Sequence, residues 1–151
     1  MIEQTRINER LTVGMGYPDE GDLRDLARAG IRAVANLRTH GEPEQPLKPD
    51  EEGRWARQLG LAYLHYPVTS DQLETAVVDG FRAALDRLPR PLFAHCASGT
   101  RSGAFLMMHV AAETGLTGDE ALAKAEAMGF ACDEPAIERF VRDYVEAHRE
   151  A

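Results

Sequence analysis

The sequence predicts an α/β fold, a mostly parallel sheet covered by helices and built as a single domain over residues 1–151. Helical and strand-like patterns alternate along the chain, as they must where parallel strands are joined by crossovers. At 151 residues, 44% hydrophobic and 28% charged, the chain can bury one ordinary core and lies away from the disordered class. No repeat at solenoid period and no low-complexity tail competes with that reading.

Each element has its own signal. Leu23, Leu26 and Ala27 recur at helical spacing within Asp22–Arg28, and Gly30 then opens a strand-like run, Ile31–Leu37. Trp55 and Leu59 lie one turn apart, Gly60 supplies a helix C-cap, and Leu61–Val68 reads as the next strand. In Asp71–Leu88 the residues Leu73, Val77, Phe81, Leu85 and Leu88 form one apolar stripe, with Asp71 placed to cap the helix. Pro89 and Pro91 bracket a turn, and Pro91–His95 is a short apolar strand. Ser102–Thr114 is apolar nearly all round, which predicts a buried central helix in which Met107 and Met108 act as packing. Two further helices fit Thr117–Met128 and Glu134–His148. Arg38–Asp50 carries three of the eight prolines and is expected to be a structured loop across the top of the sheet.

Charge and composition exclude several classes of function. With 17 basic and 25 acidic side chains the net charge is −8, so general nucleic-acid binding is not expected. An anionic substrate would need a locally positive pocket. No apolar run is long enough to cross a bilayer, and the polar start MIEQTRINER has no signal-peptide core. The two cysteines, Cys96 and Cys132, make neither a disulfide framework nor a zinc site, so a cytoplasmic setting is expected. No His, Asp or Glu cluster has metal-ligand spacing, and neither metal nor cofactor is expected.

The informative segment is H-C-A-S-G-T-R-S, His95 to Ser102, directly after an apolar strand and before a helix. Ligands of open parallel sheets collect beyond the carboxyl ends of the strands, where this loop lies. A cysteine there points its sulfur into a ring of backbone amides from Ala97, Ser98, Gly99 and Thr100, backed by a helix N-terminus. That environment favours a nucleophilic thiolate at Cys96. Gly99 permits the tight curvature, Arg101 can fork two donors onto an oxyanion, and Ser102 can hydrogen-bond the sulfur as a leaving group. His95 is expected to brace the loop, while Arg38, His40 and Glu42 are expected at the pocket rim. His65 reads as packing or surface. Cys132 reads as structural, although a thiol can resolve an oxidised cysteine.

These residues resemble the tyrosine-phosphatase-like superfamily, and within it the phosphatase-like domains of bacterial beta-lactamase-hydrolase-like proteins. The similarity runs from about Thr12 through Asn36-Leu-Arg38 and Tyr66-Pro-Val68 to the Cys96 loop and its helix. It implies a four- or five-stranded sheet flanked by helices, with Cys96 as nucleophile and Arg101 as oxyanion clamp. Asp71 falls about where these phosphatases place the acid that protonates the leaving group. One departure matters: the superfamily usually has five residues between Cys and Arg, whereas Ala97–Thr100 are four. The shorter spacing resembles rhodanese-type sulfurtransferases, in which the cysteine carries a sulfane sulfur. Those enzymes often have extra cations in the loop, yet Ala97 and Thr100 are neutral.

Three readings follow. The first is a cysteine-dependent phosphatase acting on a small anionic or phosphorylated substrate through a phosphocysteine. The second is a sulfurtransferase taking sulfur from a sulfane donor to a thiol acceptor through a Cys96 persulfide. The third is a silent module that binds an anion or a partner.

Overall fold

The computed structural model of the chain describes residues 2–69, 71, 73–129 and 134–148. Five strands, β1 (Gln4–Arg6), β2 (Leu11–Gly14), β3 (Ala33–Asn36), β4 (Ala62–His65) and β5 (Leu92–His95), form one sheet in the order β1-β2-β5-β3-β4. Only the β1–β2 pair is antiparallel; the β2–β5, β5–β3 and β3–β4 pairs are parallel. The helices are α1 (Glu20–Arg28), α2 (Pro49–Gln58), α3 (Thr75–Leu85), α4 (Thr100–Thr114), α5 (Gly118–Ala127) and α6 (Pro135–His148). Sheet class and flanking helices are those the sequence predicts.

Strand parity divides the core. Val34 and Phe93 point to α1 and α2, where they pack with Leu23, Leu26, Ala56 and Leu61. Ala33, Ala35, Leu92 and Ala94 point the other way, onto Phe81, Phe105, Leu106 and the helices behind them. Helix α4 is buried from Ser102 to Ala111, which accounts for its apolar sequence all round. Gly60, with φ +83°, follows the end of α2 as expected. The Arg38–Asp50 segment is structured: the Gln45 side-chain amide donates to the carbonyls of Thr39 (3.1 Å) and Glu42 (2.9 Å). Its last two residues, Pro49 and Asp50, already belong to α2.

The sequence pattern assigns no element to the start of the chain; β1 forms there because an edge strand paired on one side needs no apolar alternation. One expectation needs correction. Asp71 does not cap α3, which begins at Thr75 with Glu74 at the N-cap and no side-chain cap. Leu73 prolongs the apolar stripe because it packs against the same core from a non-helical segment. The Cys132 reading falls outside the described residues.

The back of the sheet contains a titratable group. On α4, His109 is 2% exposed. The Arg82 Nε–H donates to its Nδ1 at 3.1 Å, so that nitrogen must be unprotonated, and Nε2 faces Glu113 at 3.2 Å. Burial holds its pKa below the ordinary histidine value; Glu113 and Asp86 oppose the shift, and Arg82 and Arg90 add to it. A depressed folded pKa means that the unfolded chain takes up the proton first. Stability is therefore expected to fall as pH drops from about 7 towards 5, through the unfolded value of about 6.5 and then the lower folded one. Urea melts across that range check it: the slope should shrink in His109→Gln, and an unchanged slope would assign it to other groups.

Candidate active site

The carboxyl end of β5 places consecutive residues on opposite faces. His95 continues the Phe93 side, towards α2, and Cys96 continues the Ala94 side, towards α4. Cys96 is 1% exposed. The Ser102 backbone N–H donates to its sulfur at 3.5 Å, and the Ser102 hydroxyl lies at the same distance. Gly99 turns the loop with φ +95°, a conformation that disfavours any side chain. A Cβ there would also sit 2.6 Å from the Met15 sulfur. Ser98 and Thr100 bond each other through their hydroxyls at 3.1 Å, fastening the outer part of the loop, while Ala97 is half-buried.

Arg101 is anchored from the rim. Glu42 takes its Nη1 at 2.7 Å and its Nη2 at 2.8 Å, and the Val68 carbonyl takes Nη1 at 2.9 Å. Both Nη1 hydrogens and one Nη2 hydrogen are thus used. The second Nη2 hydrogen and Nε–H form the other fork of the guanidinium, and Cys96 is a further hydrogen-bond partner of Arg101. The hydrogen bond to Glu42 and the nearby Cys96 sulfur both raise the Arg101 pKa against burial. Burial alone would raise the Glu42 carboxyl, but hydrogen bonds from Arg101 and Thr39 hold it below its ordinary value. Glu42 is therefore a charged strut that holds Arg101 and is itself held within the loop by the Thr39 N–H.

Beneath the loop lies a polar cluster that the sequence does not reveal as one unit. Arg38 is expected at the rim but is 0% exposed. It shares parity with Val34 and Asn36 and therefore points inward at α2, where Glu52 accepts from its Nη2 at 2.7 Å. The other Glu52 oxygen meets the His95 Nε2 at 2.6 Å, so a single carboxylate ties the ends of β3 and β5 together. Asn36 accepts from the Arg38 backbone N–H and Nε, at 2.9 and 3.3 Å. Its amide donates to the Tyr63 hydroxyl, which in turn donates to the Pro49 carbonyl. Burial, reinforced by Glu52, pushes the Tyr63 hydroxyl well above the usual phenol range. The His65 Nε2 must donate to the Arg38 carbonyl, 2.6 Å away, since a carbonyl only accepts. Arg38 and His95 thus support the loop from below. Glu52 and Tyr63 carry no motif, and Asn36, though part of the Asn36-Leu-Arg38 motif, gives no sign in the sequence of its bonds to Arg38 and Tyr63.

Asp71 is exposed and, with Leu73, Arg139, Phe140 and Asp143, lines a cavity of about 350 Å³ against α6. No three His, Cys, Asp or Glu side chains converge as metal ligands among the described residues.

The family model of the phosphatase-like domain of beta-lactamase hydrolase-like proteins matches residues 7–113, which contain strands β2 to β5 and both arginine anchors. The chain belongs to that family. A beta-lactamase hydrolase-like protein of Xylella fastidiosa is 36% identical over 126 residues, covering 83% of this chain and 28% of the relative. One from Agrobacterium fabrum is 34% identical over 102 residues, 67% of this chain and 23% of the relative. The phosphatase-like domain therefore spans about a quarter of the length of these relatives. Among solved structures, Pseudomonas aeruginosa TpbA in complex with phosphotyrosine superposes with a TM-score of 0.79 at 21% identity, covering 99% of this chain and 89% of that one. Tk-PTP in its active form gives 0.78 at 21% identity, covering 95% and 96%. The fold is that of the phosphatases, as the sequence resemblance implies.

Glu52→Gln should destabilise the phosphatase-like domain by about 3–5 kcal/mol, because it leaves the Arg38 charge buried without its partner. Urea denaturation measures this, and a loss below about 1 kcal/mol would mean that solvent reaches Arg38.

Proposed function

We propose that the chain is a cysteine-dependent phosphatase acting on a small phosphate monoester or a phosphorylated side chain. The observation that carries this reading is the Arg101 guanidinium next to the Cys96 sulfur, with one fork not taken by Glu42 or Val68 and Ser102 behind that sulfur. In the proposed reaction Cys96 attacks phosphorus and the oxygen–phosphorus bond of the ester breaks. The remaining Arg101 donors and the loop amides hold the equatorial oxygens. Asp71 gives its proton to the departing oxygen. Water then hydrolyses the phosphocysteine, and the Ser102 hydroxyl eases the departure of the thiolate. The phosphotyrosine bound to TpbA is consistent with this substrate class.

A second reading, sulfur transfer through a Cys96 persulfide, is favoured by two specific features. The loop has four residues between Cys96 and Arg101, which suits a small sulfur adduct. In addition, Glu42 offsets the Arg101 charge that a phosphate dianion would use. Mass spectrometry of the protein after incubation with an aryl phosphate, and separately with thiosulfate, distinguishes the two. The adducts differ clearly in mass and both fall on Cys96. Phosphate is the expected adduct, and sulfur alone would replace the first reading with the second. If neither adduct forms and nothing turns over, the chain is a binding module.

Two substitutions test the assigned roles. Arg101→Lys should lose most activity, since an ammonium keeps the charge but not the two-pronged donor set; near-normal kcat/KM would remove the fork from the mechanism. Asp71→Asn should slow ester cleavage by about 10²–10⁴-fold, with the larger losses for poor leaving groups. Persulfide formation should survive that change, so equal cleavage of good and poor leaving groups would take Asp71 out of catalysis.

A further inference from the structure

Strand β4 ends the sheet, pairing only with β3 among the described residues. The Ala62 N–H donates to the Arg32 carbonyl and the Tyr66 N–H to the Asn36 carbonyl, so the inward-facing amides are those of even-numbered residues. By the twofold period of a strand, the N–H and C=O groups of Tyr63 and His65 face outward as an open edge.

Beside that edge α2 presents Arg54 and Arg57, both exposed and neither within ion-pair distance of a carboxylate among the described residues. Arg57 lies over the Tyr63 ring at 5.8 Å. Together with Gly53, Tyr63, His65 and Asp50 they line a cavity of about 360 Å³. Gly53 forms its floor, since a Cβ there would stand 3.0 Å from the Tyr63 ring. A pair of unmatched arginines is conspicuous on a chain of net charge −8.

We infer that the β4 edge and the Arg54–Arg57 pair form a docking strip for an acidic, extended segment of another protein. Each half of the strip needs a different property of the guest. The outward amides of Tyr63 and His65 call for a strand, which adds to the sheet through main-chain hydrogen bonds. The arginines, three residues apart on a helix, rise about 4.5 Å along it. Alternate side chains of an added strand repeat at about 6.5–7 Å, within reach of two long arginine side chains. Carboxylates at alternate positions of such a strand would therefore meet both cations. A free small anion would satisfy the arginines and leave the amides unpaired. A second copy of this chain could pair edge to edge through β4, but would bring arginine against arginine.

The test is an NMR titration of the full chain with a peptide of alternating Glu and Val, capped at both ends. Binding is expected with Kd of about 1 mM or tighter, with the Tyr63 and His65 amides protected from exchange. Affinity should fall about tenfold or more in Arg54→Glu/Arg57→Glu, and also with the Lys/Val peptide. N-methylation of alternate peptide amides, which keeps every charge and removes strand pairing, should abolish binding to the unaltered chain. Retained binding of the N-methylated peptide would reduce the strip to an ion-exchange surface and overturn the proposal. So would the absence of any shift at Tyr63 and His65, or a concentration-dependent dimer that closes the β4 edge by itself.

Discussion

The Glu52 carboxylate fixes the two central strands relative to each other at the end where the reactive loop begins. One oxygen holds Arg38, two residues past Asn36 in β3, and the other holds His95, the last residue of β5. Both partners are completely buried, so neither bond competes with water, and the geometry of each is short and charge-assisted. A mobile β5 terminus would carry Cys96 with it. The carboxylate comes from α2, which is why the helix on the face opposite Cys96 matters to the loop. The cluster is expensive to bury, and Arg38 Nη1 and His95 Nδ1 find no partner among the described residues. It is therefore better read as setting position than as adding stability.

Two acidic residues thus divide the work of holding two arginines. Glu52 neutralises an arginine inside the protein and keeps it out of the chemistry. Glu42 partly neutralises one at the surface of the pocket and aims it. The distinction follows from exposure: the Arg101 and Glu42 side chains are 14% and 16% exposed, against 0% for Arg38 and Glu52. Because Glu42 uses one edge of the guanidinium, the other edge is left for Cys96 and for whatever binds beside it. This arrangement gives direction at some cost in field strength, and under the proposed function it bears on which anion the site would favour.

The alternation of helical and strand-like runs was enough to read the parallel sheet, the buried α4 and the loop at Cys96, because each rests on local pattern. That Cys96, Gly99, Arg101 and Ser102 share one turn is legible for the same reason: they lie within seven consecutive residues. Arg38 shows where that legibility ends. Its place after a strand suggested the rim, but strand parity combined with a carboxylate fourteen positions away turned it inward. Glu52 lies in a helix whose charged residues all look like solvated surface, and only the packing of α2 on the sheet distinguishes it. Asp71 failed as a cap because an apolar stripe records what is buried, and a segment can bury Leu73 without being helical.

The short loop and the fork bear on each other. Removing one residue between a cysteine and its arginine tightens the amide ring, leaving less room for a tetrahedral group seated within it. Yet the arginine reaches the sulfur's vicinity with a pair of donors that neither Glu42 nor Val68 takes, and such a pair is matched to two oxygens of one anion. A sulfane sulfur on cysteine offers no such pair of oxygens. The donor substrate of a sulfurtransferase could, provided that it is itself an oxyanion. The fork therefore argues for an oxyanion in the pocket under either chemistry, and the loop length bears only on what remains attached to Cys96 afterwards. Under the proposed function, substrate recognition and covalent chemistry would thus fall to different parts of one eight-residue segment, His95 to Ser102. The first would depend on Glu42, which holds Arg101, and the second on Ser102, which bonds the sulfur.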